Sequence, residues 1–148
     1  MAEQRRITMQ TKVFLDASYA IALSSASDSF HHAAIRLADE LEAAKRQVVT
    51  TRAVMLEIGN ALAKRRYRRA AVELLGALAA DPDVEILPLS EDLYERAFML
   101  YQGRPDKEWG LTDCVSFLVM RDRGISEALT ADQHFQPAGF QALLREAT

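Results

Sequence analysis

Four carboxylates in this chain lie beside apolar segments, where an unpaired charge costs free energy. Asp16 directly follows the apolar letters VFL, and Asp132 directly follows ALTA. Asp113 precedes the run CVSFLVM, and Glu57 stands among the letters MLEI. Residues of this type in such surroundings are candidates for a shared site.

If these four carboxylates converge, two of them about 5 Å apart repel by roughly 3 kcal/mol at an effective dielectric near 20. The site must then share protons or hold a cation. A ligand set made only of oxygens favours Mg²⁺ or Mn²⁺ over zinc or copper. Such an ion can activate water and stabilise charge on a phosphodiester, so the expected chemistry is phosphodiester hydrolysis.

Each carboxylate taken alone also has a purely structural interpretation. An aspartate after a strand often caps a helix, which would account for Asp16 or Asp132. Asp113 could be a first-turn residue that the helix dipole favours. Glu57 could be a solvated helix position. The case for a site therefore depends on the four residues as a set.

The elements that would position these residues alternate between strand and helix. Short apolar or β-branched runs predict strands at residues 12–16, 47–51, 84–87 and 125–131, with a short fifth near the carboxyl terminus. Helical spacing and capping residues predict helices near residues 19–23, 30–46, 53–65, 69–80, 90–102 and 112–123, the last two starting at Ser90 and Thr112. This alternation predicts an α/β three-layer sandwich: a mainly parallel sheet of four or five strands with helices on both faces.

In a doubly wound sheet all parallel strands end at one edge, and ligands bind there. Asp16 and Asp132 should meet at this edge, because each directly follows a strand. Glu57 lies early in the helix after the second strand. The spacing leaves Asp113 open, since its helix precedes a strand and should start at the opposite edge unless the preceding elements reverse direction.

Four segments together resemble the PIN domain, and most closely the small bacterial VapC-type ribonuclease toxins. They are FLDAS at 14–18, MLEIGNALAK at 55–64, LTDCVSFLVM at 111–120 and LTADQHFQPAGF at 129–140. The resemblance extends over about residues 12–145. It implies a Mg²⁺- or Mn²⁺-dependent endoribonuclease with one acidic pocket. The residues implied as both catalytic and metal-binding are Asp16, Glu57, Asp113 and Asp132.

The resemblance also extends to polar neighbours of the acids. It implies contacts to substrate, water or the metal ligands for Ser18, Asn60, Thr112, Ser116 and His134. For the hydroxyl and amide residues, a helix cap or a local backbone hydrogen bond is the alternative. His134 stands where many relatives carry a further aspartate, which leaves one or two metal ions open, and an exposed loop histidine is the alternative for it.

One segment is strongly basic, with five cations among six residues: Lys64, Arg65, Arg66, Arg68 and Arg69. This pattern predicts a surface for RNA phosphates, with Tyr67 available for base stacking. The alternative is a solvated turn between two helices.

Composition limits the remaining classes. The chain has 148 residues, a net charge of −3 and one cysteine. We expect a polar tail at residues 1–11 and a single PIN-like domain at 12–148. One thiol forms no internal disulfide and no zinc site alone. The single cysteine fits a reducing cytosol, so a cytoplasmic protein is expected. No run approaches the 18 apolar residues of a membrane span, so no membrane segment is expected.

The resemblance implies an RNA substrate, a homodimer, and a small antitoxin that blocks the acidic pocket. The competing interpretation is a PIN-fold RNA-binding or regulatory module with little or no cleavage. The complete set of four acids argues against it, because such a module could lose one. A phosphatase with an aspartyl nucleophile usually has a second aspartate two residues after the first, whereas residue 18 is Ser.

Overall fold

The structure is a computed structural model that describes residues 12–146. Its five strands are β1 (Lys12–Leu15), β2 (Gln47–Thr51), β3 (Val84–Leu87), β4 (Glu127–Leu129) and β5 (Gln141–Ala142). Its helices are α1 (Ala17–Ser24), α2 (His31–Ala44), α3 (Arg52–Ala61), α4 (Arg65–Ala80), α5 (Glu91–Gly103), α6 (Leu111–Arg123) and α7 (Leu143–Glu146). The predicted tail lies outside the described residues.

The strands form one sheet in the order β3-β2-β1-β4-β5, and every neighbouring pair is parallel. β1 is the central strand: Phe14 is in register with Val49 on one side and with Ala128 on the other. The predicted α/β fold is therefore confirmed, with five strands. All carboxyl ends lie at one edge of the sheet, and the chain leaves β1 and β4 there toward Asp16 and Asp132.

The apolar runs noted in the sequence form the core. Val13 and Phe14 of β1 are fully buried, as expected for a strand covered on both faces. Seven consecutive residues of α6, Cys114 to Met120, are also buried. Phe117 packs edge-on against Trp109 and Phe135, with ring centroids 5.0 Å apart in each pair. This packing fixes α6, and thereby the backbone of Asp113 at its start.

The ends of two helices test the capping predictions. Ser90 caps α5 as predicted, since its hydroxyl accepts a hydrogen bond from the Leu93 N–H at 3.1 Å. The prediction that Thr112 caps α6 is wrong, because the cap is Gly110 and the helix begins at Leu111. The Asp113 carboxylate reaches back and accepts the Gly110 N–H at 3.1 Å, so a glycine without a side chain can hold this position.

Other boundaries also differ from the sequence prediction, and α3 ends at Ala61 rather than near residue 65. Helix α4 begins at Arg65 rather than near residue 69, so the basic segment belongs to its first turns and is not a turn between helices. β4 covers only Glu127–Leu129, which places Thr130 beyond the strand end. Within residues 12–146, no helix combines the length and apolar character needed to cross a membrane.

Candidate active site

Asp16 lies at the end of the central strand and is only 4% exposed. Its N–H donates to the Leu129 carbonyl at 3.2 Å, which continues the pairing of β1 with β4. It occupies the N-cap position of α1, yet its side chain makes no capping hydrogen bond. Helix capping therefore does not explain this buried carboxylate.

Two hydroxyl groups hold the Asp16 carboxylate. Thr130 Oγ1 donates to Oδ2 at 2.7 Å, and Ser18 Oγ donates to the same oxygen at 2.9 Å. The two hydroxyl oxygens are 3.0 Å apart. Each also accepts a backbone N–H, from Asp132 at 3.0 Å and from Ala131 at 2.9 Å. One network thus links the ends of β1 and β4 and fixes the orientation of Asp16.

Sequence reasoning missed Thr130. Ser18 was a candidate because it matches a position where the resembling family often carries a hydroxyl, whereas Thr130, two residues before Asp132, was not selected. Thr130 is fully buried although it is polar. A threonine at a strand end is usually explained by β propensity, so the local sequence gave little reason to select it.

Asp132 is half-buried in the turn after β4. Its Oδ1 accepts the His134 N–H at 2.8 Å, a local turn contact typical of aspartate. No helix follows within residues 130–140, so helix capping does not explain Asp132 either. One carboxylate oxygen of Asp132 stabilises the turn through this hydrogen bond. The charge of Asp132 also helps to raise the pKa of the other three acids.

Glu57 and Asp113 come from helices and are half-buried. Burial is the main cause that raises the pKa of Glu57 to about 7, followed by the charges of Asp16, Asp113 and Asp132. Burial and the charge of Asp132 raise the pKa of Asp113 to about 6, and the Gly110 N–H opposes this increase. The pKa of Asp16 is also raised, first by burial, although the Thr130 and Ser18 hydroxyls lower it.

These shifts bring all four predicted acids into one electrostatic site. Asp113 interacts with the charges of both Asp16 and Asp132, so α6 begins at the same edge where β1 and β4 end. The loop at residues 104–110 returns the chain to this edge. The structure therefore places Asp113 near Asp16 and Asp132, a position that spacing alone left open.

The other candidate residues have different surroundings. His134 is half-buried, and its charge lowers the pKa of Asp113, so it lies near the acids and is not an exposed loop residue. Ser116 is fully buried, and its Oγ has no hydrogen-bond partner within the described residues. Thr112 is half-buried beside Asp113, and Asn60 is exposed one turn after Glu57. A local backbone hydrogen bond does not explain Ser116.

The basic segment is separate from the acids. Its five cations are all exposed. None contributes to the pKa shifts of Asp16, Glu57 and Asp113. The structure thus places the predicted phosphate surface outside the acidic pocket, at the start of α4.

The carboxylates form a donor set that suits a hard divalent cation, because every ligand atom they offer is oxygen. Burial and mutual repulsion oppose their ionisation, and a cation would remove that cost. In residues 12–146, no three ligand-type side chains are already arranged around one ion position. Glu57 accepts no hydrogen bond within this range, so its side chain is free to turn toward an ion.

Comparisons with known proteins agree with this architecture. The PIN domain family model matches residues 13–141. The 23S rRNA-specific endonuclease VapC20, found in two strains of Mycobacterium tuberculosis, is 35% identical over 129 residues, which are 86% of this chain and 95% of the relative.

A solved structure supports the same relationship. The crystal structure of Mycobacterium tuberculosis VapC20, described as a sarcin-ricin loop cleaving toxin, superposes with a TM-score of 0.76 at 33% identity. The match covers 86% of this chain and 95% of that one. The chain belongs to the PIN domain family.

Proposed function

We propose that this protein is a metal-dependent endoribonuclease that hydrolyses RNA phosphodiester bonds as the toxin of a toxin–antitoxin pair. The observation that carries the proposal is the set of four acids, Asp16, Glu57, Asp113 and Asp132, in which burial and the charges of neighbouring acids raise the pKa of Asp16, Glu57 and Asp113. Membership of the PIN domain family and the likeness to VapC20 support it.

The metal assignment rests on the donor set. We propose that Asp16, Glu57, Asp113 and Asp132 hold Mg²⁺ or Mn²⁺. When bound, such an ion supplies charge stabilisation for the phosphodiester and lowers the pKa of water. Carboxylate oxygens favour these ions over softer metals.

The protein's own side chains then have distinct roles. Asp16 is held in one orientation by Thr130 and Ser18, so little conformational freedom is lost when it engages a ligand. Without a metal ion, burial and the neighbouring acids raise the pKa of Glu57 to about 7, so a bound cation would favour its ionised form as a ligand. His134 lies near Asp113, where it can contact a substrate phosphate.

A cleavage assay tests the proposal. Purified protein should cleave RNA with Mg²⁺ or Mn²⁺, and excess EDTA should stop the reaction. A labelled sarcin–ricin loop oligonucleotide is the first substrate to test, because the similar VapC20 structure is described as cleaving that loop. Total RNA extends the search to other targets.

The controls separate this function from the competing one. Activity that survives EDTA would contradict the metal mechanism. RNA binding without cleavage, in the presence of either metal, would instead support a PIN-fold binding or regulatory module. An Asp16→Asn preparation purified in the same way detects contaminating ribonuclease.

The expected partners follow from the same proposal. A small antitoxin protein should bind and inhibit the enzyme, and co-expression with the adjacent reading frame tests this. The homodimer, the cytoplasmic location and the single domain at residues 12–148 remain predictions. Helix α5 exposes apolar side chains suited to a second copy, such as Met99 at 70% exposure. Sedimentation velocity would measure the oligomeric state.

A further inference from the structure

The arginine-rich start of α4 has a surface arrangement that the acidic pocket does not explain. An open cleft of about 470 Å³ is lined by Ala63, Arg65, Arg68 and Arg69. Three of these four residues are arginines, and all three are exposed. The charged groups along this concave surface are therefore all arginines.

Very little negative charge in the protein balances this cluster. Of the five ion pairs within residues 12–146, only one involves it: Arg69 with Glu73, at 3.4 Å and with both side chains largely exposed. An exposed pair at this distance is weak. Lys64, Arg65 and Arg66 have no carboxylate partner in that range. The positive charge thus remains available to an external anion.

Two of the arginines are held in place by the protein. Arg68 donates from both Nε and Nη2 to the Ala63 carbonyl, at 3.2 and 2.7 Å. The Arg66 guanidinium lies 4.8 Å from the centroid of the Tyr67 ring. A cluster that is partly fixed loses less side-chain entropy when it binds a ligand.

The position of the cations reduces the stability of the helix. The amino-terminal end of a helix carries partial positive charge, so cations there are unfavourable, and the first turn of α4 contains no acid. Lys64 provides no side-chain cap, and like charges on adjacent turns also repel. A solvated face chosen for stability would carry acids here.

We propose that this cluster, Lys64, Arg65, Arg66, Arg68 and Arg69, is the surface that binds the backbone phosphates of the RNA substrate beyond the cleavage site. The proposal rests on the proposed ribonuclease function. RNA phosphates supply the anions that the cleft lacks, whereas Tyr67 is half-buried against the core beneath Arg66 and is given no stacking role. The cations that destabilise the start of α4 then have a function, because they bind the phosphates of the substrate.

The chain connects this surface to the acids. Glu57 stands four residues before Ala61, the last residue of α3, which is about 6 Å along the helix axis. Three residues, Leu62 to Lys64, link α3 to α4. A strand of RNA leaving the pocket along α3 therefore reaches the cluster within a few nucleotides.

The test measures RNA affinity and stability in the same variants. Arg65→Gln/Arg69→Gln removes two cleft arginines and leaves the Arg68 contact intact. Its matched control is Lys45→Gln/Arg121→Gln, which removes two exposed cations elsewhere. Fluorescence anisotropy with a labelled single-stranded RNA of about a dozen nucleotides, in EDTA and between about 50 and 200 mM salt, gives affinity and its salt slope.

Two opposite changes are expected in the cleft variant. Its RNA affinity should fall about tenfold or more near 50 mM salt. The negative slope of log K against log salt should become shallower by about 1.4, because two phosphate contacts are lost. Its melting temperature should stay the same or rise slightly, because unfavourable cations have left the helix start. The control variant should keep the wild-type slope.

Other outcomes would overturn the proposal. Unchanged affinity and slope in the cleft variant, or equal losses in cleft and control variants, would show that these arginines form only a solvated face. An Arg65→Lys/Arg69→Lys variant keeps the charge and should keep most of the slope. If the wild-type protein binds RNA through this cluster but never cleaves it, the ribonuclease function fails while the binding surface stands.

Discussion

The two halves of the acidic site are built differently. Asp16 comes from the central strand and is held by two hydroxyl donors in a buried network. Glu57 comes from a helix, accepts no hydrogen bond within residues 12–146, and has a pKa raised to about 7 by burial and neighbouring charge. Asp16 is therefore already oriented by two side-chain hydrogen bonds. Of the two acids on helices, Asp113 accepts only the Gly110 N–H, and Glu57 is positioned by its backbone.

This difference separates two tasks in one site. A buried carboxylate needs hydrogen-bond donors, and Asp16 receives them from Thr130, just after β4, and from Ser18 in α1. The helix-borne acids keep unused ligand capacity and a high electrostatic cost, both of which a cation would relieve. The site thus combines an ordered ligand with adaptable ones. The following predictions test that distinction, from the largest expected effect to the smallest.

Asp16→Asn should reduce metal-dependent cleavage by more than about 100-fold, beyond the usual effect of losing a residue that only supports a ligand. The amide oxygen can still accept the Thr130 and Ser18 hydroxyls, so the fold should remain. Because a buried charge is removed, the melting temperature in EDTA should equal or exceed that of the wild type. Cleavage at a wild-type rate would exclude Asp16 from the site.

Thr130→Val should lower metal affinity and cleavage by about 10- to 100-fold, because the hydroxyl that orients Asp16 and accepts the Asp132 N–H is lost. Thr130→Ser keeps that hydroxyl and should restore most of both. Calorimetry measures Mn²⁺ affinity directly, so it distinguishes a loss of metal binding from a loss in the cleavage step. Equal affinities in the Val and Ser variants would contradict an orienting role.

The helix half should make metal-free stability depend on pH. The folded-state pKa values of Glu57 and Asp113, about 7 and about 6, exceed their ordinary values of 4.5 and 3.8. The folded state therefore binds more protons, and the melting temperature in EDTA should fall as pH rises from about 5 to 7.5. The surface acids paired with arginine have lowered pKa values, so they titrate below this range.

Saturating Mg²⁺ should remove this fall, since a bound cation favours the ionised acids. In EDTA, Glu57→Gln should reduce the fall in melting temperature with rising pH. The measurement is a series of thermal melts across pH, with and without the ion. A melting temperature that does not change with pH in EDTA would mean that the pKa values of Glu57 and Asp113 are not raised in the folded protein.

The smallest effect is expected far from the acids, at the Arg123–Glu85 pair that joins the end of α6 to β3. The two side chains form a bidentate contact at 2.9 and 3.0 Å, largely in solvent. Arg123→Gln should lower the free energy of unfolding by less than about 1 kcal/mol. Cleavage should stay unchanged, because buried packing rather than this pair positions Asp113. A large loss of activity would contradict that conclusion.

The sequence predicted the residues whose positions depend only on strand direction. Asp16 and Asp132 each follow a strand, so parallel pairing alone brings them to one edge. Asp113 could not be placed in this way, because the direction of α6 depends on the loop at residues 104–110, whose course the hydrophobic pattern does not encode. The resemblance to a family supplied that position.

Other features depend on contacts between distant segments. Thr130 acts through Asp16, and nothing adjacent to it in the chain indicates this. The cap of α6 was misplaced at Thr112 because a glycine cap becomes possible only when the Asp113 side chain reaches back to it. The extent of α4 was underestimated because five cations at a helix start oppose the usual charge preference.

The parallel sheet has a consequence for the order in which the site can form. The hydrogen bond between Thr130 and Asp16 joins residues 114 positions apart, and the strand that pairs with β1 on that side is β4. Because a contact this distant forms only after both of its residues are available, a growing chain cannot orient Asp16 before residue 130 has been made. The network that orients the first acid of the site therefore forms long after Asp16 itself has been added to the chain.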